Sequence, residues 1–274
     1  MRRTTSRSIH LMASVVALAA VAAPGVSRAA EGERVADLVE ESSVQGMLQR
    51  WVDDFAHDPT LAAPLAFGVL IGEEWWNITA EPGEDGRAHR VALGEGSPET
   101  PSFYFKTDTH TLASMDSGEM TPGTALSGSR AERLMSVDAM EGFAPGPGEM
   151  ATIFRTAFHF WKRGNPEIFR FGEMATLPRH GAEVGILFYQ PGFRSAWVNL
   201  GPGQHANAEE EDKTNPFPSM LIWIDGRGKA KIGGREVDIE GGEAVMIPAG
   251  VAHEFWNPFE EPFRGFMLAF GEGA

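Results

Sequence analysis

The chain has 274 residues, enough for one large or two ordinary domains, and its 42% hydrophobic content is ample for packed cores. Its 23 Lys and Arg against 38 Asp and Glu leave a formal charge of −15, a field that disfavours nucleic acid and anionic membrane surfaces. The absence of cysteine excludes disulfides, thiol catalysis and Cys-ligated zinc.

Arg2, Arg3 and Arg7 precede a charge-free run from Leu11 to Ala23, followed by Pro24-Gly25 and the small-residue site Ser27-Arg28-Ala29. This is the order of a secretory signal peptide, and the run is short for a membrane span. Thr4-Thr5-Ser6 does not continue a twin-arginine motif, so the general secretory route is expected. The expectation is a signal peptide at 1–29 and a mature chain that is secreted or periplasmic, spans no membrane, and carries −19 once four arginines leave with the signal.

Between Glu33 and His57, the residues Val44, Met47, Leu48, Trp51 and Phe55 fall at helical spacing, and Asp58-Pro59 ends the helix. Leu65 to Ile71 reads as a strand leading into Trp75-Trp76-Asn77-Ile78. Glu81 to Gly86 reads as a turn, His89 to Leu93 as the return strand, and Phe103-Tyr104-Phe105 as a third strand. Thr107-Asp108 precedes a helix over His110 to Ser117 that Gly118 closes. With Leu112, Ser117-Gly118-Glu119, Pro122, Ala125-Leu126 and Gly128, this stretch resembles the sterol carrier protein type 2 family. The resemblance implies an α/β sandwich over residues 30–145 enclosing a lipid-sized tunnel. Bulky apolar residues on a sheet serve equally as plain core.

Phe143-Ala-Pro-Gly-Pro-Gly148 is the expected boundary, placing a second domain at 146–274. That domain leads with a helix: Met150, Ile153, Phe154, Ala157, Phe158 and Trp161 keep helical spacing before Gly164. Short strands follow over Ile186–Tyr189, Ser195–Val198, Met220–Ile224, Lys229–Ile232, Glu236–Ile239 and Phe263–Phe270, with a Gly233-Gly234 hairpin turn. Many short strands with regular turns indicate a β-sandwich or barrel, so the chain as a whole is α+β.

The most specific stretch is Gly242 to Asn257. Gly242, Pro248, Gly250, His253 and Asn257 stand at the spacing G(X)5PXG(X)2H(X)3N. Ala244 to Ile247 is an apolar run, Pro248-Ala-Gly250 breaks it, and alternation from Ala252 to Trp256 puts His253 and Phe255 on one face. The spacing is similar to the second motif of the cupin superfamily, which implies a C-terminal jelly-roll barrel with His253 pointing inward. The family's first motif, G(X)5HXH(X)3,4E(X)6G, supplies two histidines and a glutamate to a metal. Here His205 takes the first histidine's place, Asn207 the second's, and Asn199 that of the leading glycine. Glu211 follows at the glutamate step, but Gly226 lies 15 residues on. Keeping register with Gly226 instead moves the glutamate position to Ser219. The inserted 213–218 segment reads as a lid over the barrel mouth.

The resemblance implies a site for one divalent iron, manganese or zinc held by His205, His253 and Glu211, since two imidazoles and a carboxylate suffice for a facial set. A solvated acidic loop is the plainer reading of Glu209 to Asp212. The expected small-molecule contacts are Asn207, Asn215, Phe217, Trp223 and Phe255. No nucleophile triad or phosphate loop is legible. The expected function is binding of a small apolar or amphipathic molecule at a degenerate cupin site. The alternatives are a metal-dependent oxygenase or isomerase using His205 and His253, and a barrel serving homodimerisation.

Overall fold

The computed structural model describes residues 43–84, 87–129, 131–164, 166–172, 174–209 and 213–274. The expected signal segment, the start of the first helix and Glu211 lie outside them. The described chain divides into two compact units between Arg170 and Phe171.

In the first unit, helix α1 (Val44–Phe55) begins where the Ser43 hydroxyl accepts the Gly46 N–H, and it buries Met47, Leu48, Trp51, Val52 and Phe55 along one stripe. Strands β1 (Leu65–Ile71), β2 (Glu74–Glu81), β3 (Arg90–Glu95), β4 (Phe103–Thr107) and β5 (Ser136–Ala139) form one sheet in the order β3-β2-β1-β4-β5. Within it β1 and β4 run parallel, and the other pairs are antiparallel. Helix α2 (Thr109–Ser117) is capped by the Asp108 carboxylate and closed by Gly118 at φ 79°, and the short α3 (Pro122–Leu126) follows.

Helix α4 (Pro147–His159) belongs to this first unit, which moves the division from the expected residue 145 to residue 170. The reason lies just past its end. Phe160 and Trp161 are fully buried, with edge-on ring contacts to Phe55 and Phe67 in one case and to Trp51 and Phe105 in the other. The Pro-Gly stretch is a loop that enters α4, with Pro147 in the first turn and Glu149 accepting the Gly146 N–H. Asp58, fully buried, adds a polar clamp by accepting from Lys162 Nζ at 2.6 Å, the Thr60 N–H at 2.7 Å and His159 Nδ1 at 3.2 Å.

The second unit is two sheets. Strands β6 (Leu177–Arg179), β7 (Ala182–Gln190), β8 (Phe193–Leu200), β10 (Ser219–Asp225), β13 (Ala244–Ile247) and β15 (Phe263–Phe270) make six strands in the order β13-β10-β15-β8-β7-β6. Strands β9 (His205–Ala206), β11 (Arg227–Ile232), β12 (Arg235–Glu240) and β14 (His253–Trp256) make four in the order β12-β11-β14-β9. Their inner faces share one core: Val198, Leu200, Leu221, Trp223, Ile247 and Phe263 from the first sheet meet Ala206, Ala230, Ile239 and Phe255 from the second. Trp223 stacks on Phe263 with ring centroids 3.6 Å apart. The expected hairpin joins β11 to β12, with Gly233 and Gly234 at φ 56° and 84°, the left-handed pair that a two-residue turn needs.

Candidate functional site

The Gly242–Asn257 motif folds as its residues dictate. Ala244–Ile247 is β13, Pro248 to Gly250 turns with Gly250 at φ 74°, and His253 opens β14. Asn257 has a structural role. Its buried side-chain amide donates to the Leu200 and Glu261 carbonyls at 2.8 Å each, while its oxygen accepts the Phe259 N–H.

His253 is buried on the inner face with Phe255. Its Nδ1 donates to the Val251 carbonyl at 2.9 Å, so the neutral ring presents Nε2 as an acceptor. Burial pushes its pKa below the ordinary histidine value, against the Val251 hydrogen bond, which favours the charged form. Asn215 Nδ2 faces Nε2 at 3.4 Å, a long contact that leaves most of the acceptor capacity to a guest. The inserted segment reaches this position because it is stitched to the β13–β14 corner, with Lys213 O accepting the His253 N–H and Asn215 O the Gly250 N–H.

Across the six-stranded sheet runs one inner row of direct partners: Ile247, Ser219, Ala269, Arg194 and Tyr189. Ser219 is 1% exposed, and its Oγ is buried without a hydrogen-bond partner. A buried hydroxyl left so costs on the order of 1–3 kcal/mol, which a ligand that bonds it recovers. At the far end of the row Arg194 donates to the Gly273 carbonyl at 2.9 Å, with its guanidinium 4.7 Å from the Phe217 ring centre and 5.2 Å from that of Tyr189. Burial lowers its pKa from the usual arginine value, against the opposing influence of Tyr189, and arginine stays charged in proteins.

His205 goes elsewhere. In β9 it pairs with Trp256, while Ala206 pairs with Phe255 and joins the inner core. Cross-strand partners share a face, so His205 lies on the outer side of the sheet with Trp256 and Glu254, where its Nε2 meets Glu254 Oε2 at 3.1 Å. The expected convergence of His205 and His253 on one metal is therefore corrected: the two rings stand on opposite faces of one sheet. Asn207 does not extend the alternation, because its φ of 58° ends the strand as its N–H bonds the His180 carbonyl at 2.7 Å. Close by, a Cβ on Gly181 would lie 2.0 Å from the His205 carbonyl, so only glycine admits this approach. Glu211 lies outside the described residues, and among these no cluster of three histidine or acidic side chains is placed to hold a metal. Among the described residues the inner face offers one imidazole with neutral Asn215 and Ser219, which by themselves fall short of the metal set that the resemblance implied.

Of the expected contacts, Asn215 meets His253, and Trp223 and Phe255 form the apolar floor with rings 5.6 Å apart. Phe217 is buried against Ala269 and Ala274, packing at the end of the barrel where a lid over the mouth was expected. Arg194 and Tyr189 were missed. The alternation Arg194, Ala196, Val198, Leu200 holds the signal for the arginine, since Val198 and Leu200 are core.

Residues 196–269 match the family model described as Cupin domain, so this part of the chain is a cupin domain. The chain is similar to a Cupin 2 conserved barrel domain protein from Salinispora arenicola, at 19% identity over 38% of this chain and 88% of that one, TM-score 0.34. It is similar to a predicted oxalate decarboxylase from Thermotoga maritima, at 16% identity over 38% of this chain and 97% of that one, TM-score 0.34. A protein with a double-stranded beta-helix domain from Klebsiella pneumoniae is similar at 17% identity over 38% and 88%, TM-score 0.33. No curated protein matches the chain.

Proposed function

We propose that this is an exported small-molecule-binding protein whose cupin barrel takes an amphipathic ligand without a metal. The observation that carries this reading is the inner faces of the two sheets: His253 Nε2 faces the Asn215 amide on one, the unpartnered Ser219 hydroxyl lies on the other, and the core between the sheets is apolar, while His205 faces outward. A few convergent polar groups on apolar walls are the usual make-up of a ligand site. Export rests on the charge and apolar order of residues 1–29. A lipid-binding, sterol-carrier-like role for the first unit rests on the resemblance of its sequence; the open concavity of about 450 Å³ there is lined by polar Ser102, Glu149 and Thr152 as well as Leu65, Phe103 and Phe143.

The test uses the exported, untagged protein. Metal content by mass spectrometry should be substoichiometric, chelator should leave the thermal midpoint unchanged, and the neutral fluorescent probe N-phenyl-1-naphthylamine should bind saturably. Ser219→Val should weaken that binding if it occurs in the barrel. Stoichiometric metal lost from both His205→Ala and His253→Ala would overturn the reading in favour of a metalloenzyme.

A further inference from the structure

The concavity of about 450 Å³ in the first unit lies beside the start of α4 and has the size of a small-molecule site. Its apolar walls are Pro64 and Leu65 where β1 begins, Phe103 of β4, and Phe143 of the loop before α4. The Phe103 and Phe143 ring centres are 6.5 Å apart, with the planes tilted by 41°. Its polar side chains, Ser102, Glu149 and Thr152, all present acceptors. The Ser102 hydroxyl donates its hydrogen to the Ala66 carbonyl at 2.6 Å and the Thr152 hydroxyl to the Gly148 carbonyl at 3.2 Å, so each is left with lone pairs. One Glu149 oxygen accepts the Gly146 N–H at 2.9 Å, and the other takes no bond among the described residues. No lining side chain has a hydrogen left to donate.

We propose that this concavity binds a small primary amine in its protonated form. The ammonium lies against Glu149, Thr152 and Ser102, and an aryl or short alkyl body covers Leu65, Phe103 and Phe143. An ammonium carries three N–H donors and no acceptor, which matches three acceptors and no donor. Glu149 and Thr152 stand three positions apart on α4 and so are neighbours on its surface. The charge also points to a cation. The start of α4 contributes about half a positive charge, which the full negative charge of Glu149 outweighs. Of the four N–H groups that a helix start leaves for an anion, Pro147 lacks one and Glu149 already takes that of Gly146. The aromatic faces attract a cation, and the chain's formal charge of −15 concentrates cations around it. This site is separate from the barrel and does not depend on the reading given for it.

The probes are phenethylamine, its neutral counterpart 2-phenylethanol and its anionic counterpart 3-phenylpropanoate, titrated calorimetrically into the full exported chain at pH 7. The amine should bind about tenfold more tightly than the alcohol, and 3-phenylpropanoate should not compete with it. Glu149→Gln keeps an acceptor for the Gly146 N–H and removes the charge, so amine affinity should fall about fivefold with the thermal midpoint unchanged. If that variant loses stability, Thr152→Val, which leaves the helix cap intact, gives the second measurement and should weaken the amine severalfold. Amine binding no tighter than that of the alcohol, competition by 3-phenylpropanoate, or an affinity unchanged in both variants overturns the assignment, the last by showing diffuse attraction to an acidic surface. Displacement of N-phenyl-1-naphthylamine by phenethylamine would place the amine in the barrel and overturn it as well. Independent binding of the two leaves each site to stand on its own variants.

Discussion

The two units differ in how they treat buried hydroxyls, although buried indole N–H groups without a partner occur in both, at Trp51, Trp76 and Trp161 in the first and at Trp223 in the second. In the first, Asp58 is fully buried yet carries bonds from Lys162, His159 and Thr60, and the hydroxyls of Ser102, Thr107, Thr124 and Ser127 all have partners. In the second, Ser219 is the one buried hydroxyl recorded without a partner among the described residues, and His253 Nε2 has only a long contact. A satisfied polar cluster holds a structure together; an unsatisfied one facing inward costs stability that a bound guest or an ordered water recovers. The difference assigns the Asp58 knot to folding and the Ser219 row to function.

The largest effect that would break this contrast concerns Asp58. Burial alone would raise its pKa, but the bonds from His159, Lys162 and Thr60 outweigh it and hold the carboxyl well below the usual range. Asp58→Ala removes the buried carboxylate that Lys162, His159 and Thr60 bond and should cost about 3–5 kcal/mol in denaturant unfolding. A loss within experimental error would sink the structural assignment. The same depressed pKa fixes the sign of the pH dependence. The carboxylate's contribution is present above its unfolded value of about 3.9 and is lost as pH falls below it. Thermal midpoints of the wild type should drop below about pH 4, with a shallower drop in Asp58→Asn.

Smaller effects sharpen the other side. His253→Ala removes the bond to Val251 and should cost about 1–3 kcal/mol while leaving a folded barrel. His205→Ala breaks one surface pair with Glu254 and should change stability by no more than about 1 kcal/mol, with no change in metal content. Ser219→Ala should be neutral or slightly stabilising, by up to about 1 kcal/mol, because it deletes an unpaired hydroxyl while weakening probe binding. A clear loss of stability in Ser219→Ala would mean that the hydroxyl has a partner and that the contrast is false.

Much of this was legible along the chain. The helical spacing of Met47, Leu48, Trp51 and Phe55 is the buried stripe of α1, and the spaced Gly242, Pro248, Gly250 and His253 place a strand, a turn and an inward histidine. These are local properties: backbone period, breaker residues and alternation each act within a few residues. The membership of α4 was not local. Phe160 and Trp161 decide it by packing on rings up to about a hundred residues away, which no Pro-Gly run reveals.

Sequence by itself determined the strand–turn–strand around His253, because alternation after a fixed turn leaves one choice of face. Only the tertiary structure decided that His205 turns away from it. Strand β9 is two residues long, so its face depends on pairing with β14 alone, where a one-residue change of register exchanges inside for outside. The same holds for Ser219 and Arg194. They are 25 positions apart in the chain, and only the ladder through β15 puts them on one row.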